Sequence, residues 1–177
     1  MRRTEGPNVL SVSRIRNAAS VTLQVALLAV LILIFFLRAP VVSGLSMEPR
    51  IANGEHVLID TLSFHFRPVV HGEIIAFSHD ATTPIVYLKR VIGLPGDRIE
   101  IDDGNVIRNG MVLDERYVRY PDHRSFAALT VPAGDLYVLG DNRADSDDSR
   151  AWGFVPESQV IGQALMVVWP PDHVGRL

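Results

Sequence analysis

The chain has 177 residues, 47% of them hydrophobic, with a mean hydropathy of +0.18, which is enough for one membrane segment and one compact domain with its own core. The formal charge of −3 hides an asymmetry: residues 1–17 hold Arg2, Arg3, Arg14 and Arg16 against Glu5, or +3, and the remainder carries −6. This excludes the basic surface that a nucleic-acid partner needs, and the lack of any cysteine excludes disulfides, thiolate nucleophiles and cysteine zinc sites.

Residues 1–17 read as a short disordered cytoplasmic tail. Residues 18–37, Ala18 to Leu37, hold no charge and a single Gln. At about 1.5 Å per residue this run spans the roughly 30 Å hydrocarbon layer. Arginines precede it, so the N-terminus is expected in the cytoplasm and Arg38 onward outside, as a single-pass anchor. The rival is a cleavable signal peptide, whose apolar core covers about 7–15 residues and ends at small residues. This run is longer and ends in Phe35-Phe36-Leu37-Arg38-Ala39-Pro40. Pro40 then stops the helix.

From there the pattern is short strands. Glu55-His56-Val57-Leu58-Ile59 and Glu73-Ile74-Ile75-Ala76-Phe77 are β-rich runs, each with a Gly just before it. Val86 to Ile92 is apolar apart from Lys89 and Arg90, and Gly93-Leu94-Pro95-Gly96 closes it. Arg98-Ile99-Glu100-Ile101-Asp102 alternates with period two. Asp103-Gly104 and Asn109-Gly110 are hairpin signals on either side of Val106-Ile107. Leu136 to Leu139 and Ala164 to Trp169 read as buried strands. Leu62, Phe64 and Phe66 alternate, as a half-buried strand or a membrane-facing edge would. No second apolar run, repeat or amphipathic helix follows the anchor. The expected fold is mostly β: an N-terminal transmembrane helix, then an all-β, barrel-like or folded-sheet domain over 38–177 with a small accessory β region at 98–132.

Lys89 is the most informative residue. Of 17 basic side chains, 16 are Arg and this is the one Lys. Arg stays charged in a protein, whereas a desolvated Lys can lose its proton and serve as a base. The alternative is a leftover surface lysine in an arginine-rich chain. Ser46, in Ser43-Gly44-Leu45-Ser46-Met47-Glu48-Pro49, is the candidate nucleophile and needs an adjacent base; read alone, it is equally a turn residue. Gly140 to Arg150 is dense in turn formers and short polar groups, and its other reading is a solvated loop. An EF-hand counted from Asp141 would need Gly at its sixth position and Glu at its twelfth, where Ser146 and Trp152 stand. None of the six histidines forms a close pair with ligand spacing, so no metal is expected. A Ser46–His–Asp triad stays open, because triads assemble from distant residues.

Taken together, these segments resemble bacterial type I signal peptidases, the Ser/Lys enzymes of family S26 that remove signal peptides from exported proteins. Ser46-Met47-x-Pro49 is similar to the family's nucleophile box. Tyr87-Leu88-Lys89-Arg90-Val91-Ile92-Gly93-Leu94-Pro95-Gly96-Asp97 is similar to its lysine box. Gly140-Asp141-Asn142-Arg143-x-x-Ser146-x-Asp148-Ser149-Arg150 resembles its third signature, and His71-Gly72-Glu73-Ile74-Ile75-Ala76-Phe77 a further conserved-looking segment of the family. The resemblance covers roughly residues 18–170.

The resemblance implies that Ser46 is the nucleophile and Lys89 the general base. It implies that Ser146 orients the lysine amine, and that Asp148 and Arg150 form a structural pair holding that loop. Asp141 and Arg143 are expected to stabilise turns. Substrate is expected to bind as an added β-strand, with Val42, Gly44, Met47 and Leu88 around pockets for small side chains. The implied partners are signal-peptide-bearing preproteins and membrane lipid, with no cofactor, metal or nucleic acid. Two departures stand out. Gly44 replaces a serine that helps the oxyanion hole in some members, leaving backbone N–H groups, chiefly that of Ser46. Arg50 replaces the usual Thr or Ser, with an expected change in the charge of the groove. The competing functions are a Ser/Lys maturation protease dedicated to one pilin or conjugation substrate, and an inactive membrane-tethered β scaffold.

Overall fold

The computed structural model describes residues 9–78 and 85–177. Histidine 79 and the first eight residues of the expected tail lie outside that range. The chain divides into two compact units, Met1–Phe36 and Leu37–Leu177.

The first unit is helix α1 (Val9–Phe36), long and apolar enough to cross a bilayer by length and composition. Its described apolar side chains are uncovered, with Leu23 71% and Ile34 67% exposed. The helix corrects the expected tail: residues 9–17 are helical. Neither Gly nor Pro occurs between Pro7 and Phe36, and two arginines do not stop a helix whose neighbours are Val, Leu and Ile.

The second unit holds strands β1 (Leu37–Arg38), β2 (His56–Asp60), β3 (Ile74–Phe77), β4 (Tyr87–Gly93), β5 (Arg98–Asp102), β6 (Asn105–Arg108), β7 (Met111–Val112) and β8 (Phe126–Thr130). It continues with β9 (Asp135–Leu139), helix α2 (Ser149–Trp152), β10 (Val155–Pro156), β11 (Val160–Trp169) and β12 (Gly175–Arg176). One sheet runs β1-β2-β11-β3-β4-β9-β10, with β12 beside β11, and the second runs β7-β6-β5-β8. All named strand pairs are antiparallel. The mostly-β expectation holds, but neither sheet closes into a barrel among the described strands. The large sheet ends on β1 and β10, two residues each and too short to supply a closing ladder.

Turn chemistry explains the small sheet. Asp103 and Gly104, then Asn109 and Gly110, all have positive φ, which suits the two-residue turns that join β5 to β6 and β6 to β7. The large sheet is apolar on both sides. Ile74 and Ala76 of β3 belong to one core cluster, with Met47, Ile51, Val57 and Ile59. Ile75 and Phe77 belong to another, with Val91, Leu136 and Val138. That is why β3 reads as an unbroken apolar run instead of alternating. The alternation of Leu62, Phe64 and Phe66 is not a strand. Ser63–His65 is a 3₁₀ turn, Phe64 packs on the second of those clusters beneath the Arg67 guanidinium at 4.9 Å, and Phe66 is 82% exposed.

β11 pairs with both β2 and β3, and at Gly162 the crossing leaves no room for a side chain. A Cβ there would lie 2.5 Å from the Asp60 carbonyl oxygen and 2.8 Å from Ile59 Cγ2. We expect Gly162→Ala to destabilise the domain by about 1–3 kcal/mol. Thermal denaturation checks it, and an unchanged midpoint would contradict this packing.

Candidate active site

Ser46 lies in a turn built between a positive-φ glycine and two buried anchors. Gly44 has φ of 119°, which glycine adopts without strain, and its N–H donates to Asn53 Oδ1 at 3.0 Å. The Glu48 N–H donates to the Leu45 carbonyl at 3.1 Å and the Ile51 N–H to the Met47 carbonyl at 2.9 Å. Met47 and Ile51 are 2% and 0% exposed, so the core holds the turn from below. The Ser46 N–H donates to no protein acceptor among the described residues. It is therefore free for a developing oxyanion.

Lys89 sits in β4, opposite Ile75 of β3, and is 3% exposed. Burial holds its amine down to about 8, against an ordinary value of 10.5. Asp148, Asp147 and Asp141 push it back up, and Arg150 adds to the depression. No carboxylate comes within ion-pair distance of Lys89 among the described residues. Its neighbours in the three boxes are arginines with partners. Arg90 binds Asp141 through two bonds of 2.7 and 2.6 Å, and Arg150 binds Asp148 at 2.8 and 2.7 Å.

Ser46 and Lys89 line one cleft of about 430 Å³. Val42, Gly44, Met47 and Leu88 line the same cleft, together with Ile59, Ile85, Val86 and Tyr87. Arg50 does not line it and is exposed. No histidine among the described residues lines it either. The described histidines bind elsewhere: His56 the Ala39 carbonyl, His65 the Leu62 carbonyl, His71 Asp97, His123 Asp103 and His173 Glu55. That leaves a Ser46–His–Asp triad without a base in the cleft. No three His, Asp or Glu side chains converge as a metal set among the described residues.

The segment 140–150 fastens the nucleophile turn. The Asn142 N–H donates to the Ser46 carbonyl at 3.0 Å, and its side-chain amide donates to the Leu45 carbonyl at 3.1 Å. Its Oδ1 meanwhile accepts from the Asp145 N–H at 3.1 Å, capping the 3₁₀ turn Arg143–Asp145. Asn142 stands in the quoted motif, but nothing in the sequence shows that it reaches 97 residues back. Gly140 is needed beside it: a Cβ there would lie 2.5 Å from the Ser46 carbonyl oxygen and collide with the Ser146 side chain. The Ser146 hydroxyl is buried and makes no hydrogen bond of acceptable geometry. It lies close to the Asp148 carboxyl without a well-formed bond to it, which leaves the hydroxyl able to turn to another partner. Burial alone would raise Asp148; the bonds from Arg150 and the Gly140 N–H outweigh it and hold the group below the ordinary range. Asp148 also caps α2.

Arg143 donates from Nε to the Gly140 carbonyl at 2.9 Å within its own turn, but neither Asp141 nor Arg143 is only the local turn stabiliser that the sequence suggested. Both are buried and pair across the fold, Asp141 with Arg90 and Arg143 with Glu115 at 3.0 and 2.6 Å. A turn residue exposed to water needs no such partner; a buried charge does.

The family model for signal peptidase, peptidase S26, matches residues 15–169. The chain is 37% identical over 163 residues to the probable signal peptidase I-1 of Synechocystis sp., covering 88% of this chain and 83% of that one. It is 35% identical over 150 residues to the signal peptidase I of Leptolyngbya laminosa, covering 81% and 74%. A solved signal peptidase I from Enterococcus faecalis is 35% identical, with a TM-score of 0.49 over 55% of this chain and 97% of that one. The chain belongs to the signal peptidase family, peptidase S26, and is a serine endopeptidase.

Proposed function

We propose that this protein removes N-terminal signal peptides from exported preproteins, with Ser46 as nucleophile and Lys89 as a neutral general base. The observation that carries the reading is the sole lysine, buried, without a counter-ion among the described residues and depressed to about 8, in the cleft that Ser46 lines. At pH 7 an amine of pKa 8 is neutral in about one molecule in ten, against about one in 3,000 at 10.5. The relatives carry the general signal peptidase name, which favours this reading over a dedicated maturation protease.

The steps follow. Neutral Lys89 takes the Ser46 proton as Oγ attacks the scissile carbonyl. The oxygen of the tetrahedral intermediate is held by the Ser46 N–H. Lys89 then gives its proton to the leaving amine, and water activated by the same amine releases the acyl group. Ser146, with an uncommitted hydroxyl, orients the amine. Asp148 and Arg150 hold the loop that presents it.

Substrate enters as a strand. Tyr87, Leu88 and Lys89 pair with β3 on one side, and β9 begins to pair only at Arg90. Opposite, the extended segment at Val42 lines the cleft and is held from behind by the backbone bonds of Val42 with Glu55 and Gly54. An extended peptide fits between these two edges. Val42, Met47 and Leu88 supply apolar walls suited to small side chains at the −1 and −3 positions. Helix α1 anchors the enzyme, and Arg2, Arg3, Arg14 and Arg16 hold the N-terminus in the cytoplasm, with the catalytic unit outside.

Purified protein should convert a signal-peptide-bearing preprotein to its mature form. Ser46→Ala should lower the rate at least about 1,000-fold; near-wild-type cleavage would end the proposal. With the neutral amine as the active form, kcat/KM should rise about tenfold per pH unit below the Lys89 pKa and level off above about 8. A flat profile from pH 6 to 9 would contradict it. The same burial makes a stability forecast of opposite kind. The folded pKa lies below the unfolded one, so the unfolded state holds the proton more tightly. The charged amine therefore costs about 3 kcal/mol below pH 8, and that cost fades as pH rises from about 8 to 10.5. Lys89→Met should be inactive yet more thermostable than wild type at pH 6, with the gap narrowing toward pH 10. A variant less stable at pH 6 would show the lysine to be structural.

A further inference from the structure

The segment between β7 and β8 matches none of the motifs, yet it braces both halves of the candidate site. Glu115 is its centre. Oε1 accepts from Arg143 Nη2 and from the Tyr117 hydroxyl, each at 2.6 Å, and Oε2 accepts from Arg143 Nη1 at 3.0 Å. The Glu115 and Arg143 side chains are only 10% and 4% exposed. One arm runs through Arg143, whose Nε donates to the Gly140 carbonyl at 2.9 Å. Gly140 is in turn pressed between the Ser46 carbonyl and the Ser146 side chain. The other arm runs through Tyr117, whose ring centre lies 4.1 Å from the Arg90 guanidinium carbon. Arg90 follows Lys89 directly in β4. Burial, reinforced by the Glu115 charge, raises the Tyr117 hydroxyl far above its ordinary value, so it stays a donor. The segment is pinned further along by the Ala144 N–H on the Tyr120 carbonyl at 3.1 Å and by Arg150 on Asp122 at 2.7 Å.

We propose that Glu115 is a positioning residue for hydrolysis: it ties the strand that carries Lys89 to the loop that carries Ser146 and grips Ser46, and so sets the spacing of base and nucleophile. The proposal rests on the Ser46–Lys89 reading. Without Glu115, Arg143 becomes a buried cation with no counter-ion and turns toward water. The Gly140 carbonyl loses its donor, and the displacement passes straight to Ser46 and Ser146. A misplacement of about 1 Å is enough to cost on the order of 100-fold in rate.

The test uses the full chain in detergent, cleaving a preprotein, with kcat and KM measured separately. Glu115→Ala combined with Arg143→Met removes the brace without stranding a charge. Its thermal midpoint should stay near wild type, with kcat about 10–100-fold lower and KM within about twofold. Tyr117→Phe keeps the ring over Arg90 and breaks only the arm to Glu115; its kcat should fall about 3–10-fold at unchanged KM. Asp114→Asn, at the neighbouring 66% exposed side chain, should leave both constants unchanged. Wild-type kcat in the folded double variant, or a loss confined to KM, would overturn the proposal. If the double variant does not fold, wild-type kcat in Tyr117→Phe overturns it instead. Failure of the dyad reading shows separately, as cleavage that survives Ser46→Ala, and it takes this proposal with it.

Discussion

The account depends on the desolvation of one amine. Lys89 occupies an interior strand of the large sheet, flanked by β3 and β9, where water that would hydrate a charged ammonium is excluded. Three aspartates act on it from a distance and favour the charged form, but burial is the larger effect. The balance leaves the amine titrating just above neutrality, where a base must be both partly unprotonated and basic enough to take a serine proton. The depression costs stability, as functional groups often do.

The rest of the charge arrangement keeps that balance in place. Arg90, Arg143 and Arg150 are all buried, and each holds a carboxylate through paired short bonds: Asp141, Glu115 and Asp148. Guanidinium groups suit this role because they stay charged and present fixed, paired donors. Had a fourth carboxylate been set against Lys89, the amine would be held charged and useless as a base. The arginines also carry the mechanical load. They tie the loop 140–150 to β4 and to the segment after β7, and that loop in turn holds the Ser46 turn through Asn142 and Gly140.

Much of this was legible in the residues. The apolar run, the Asp103-Gly104 and Asn109-Gly110 hairpins and the β4 strand around Lys89 are local patterns with local causes, and each appears with small shifts in its ends. The lone lysine among arginines pointed to a site because chemistry, unlike solubility, distinguishes the two side chains. What was not legible is long-range. β8, Phe-Ala-Ala-Leu-Thr, lacks the β-branched run that marks a strand, and forms because β5 offers it an edge. Asn142, Asp141 and Arg143 read as loop residues because their partners lie in other segments. Glu115 carries no local signal at all, since Asp114-Glu115-Arg116 looks like any solvated turn until Arg143 is placed beside it. The choice between a closed and an open sheet was likewise not legible, because closure depends on the length of edge strands that pair far apart in sequence.

Because the chain has a single lysine, its amine can be watched without assignment. Protein carrying lysine ¹³C-labelled at the ε carbon should give one methylene signal in the folded state. Followed from pH 6 to 11, that signal should titrate with a midpoint near 8. A midpoint near the ordinary 10.5 would mean that the amine is solvated and charged at working pH, and the Ser46–Lys89 account would not survive it.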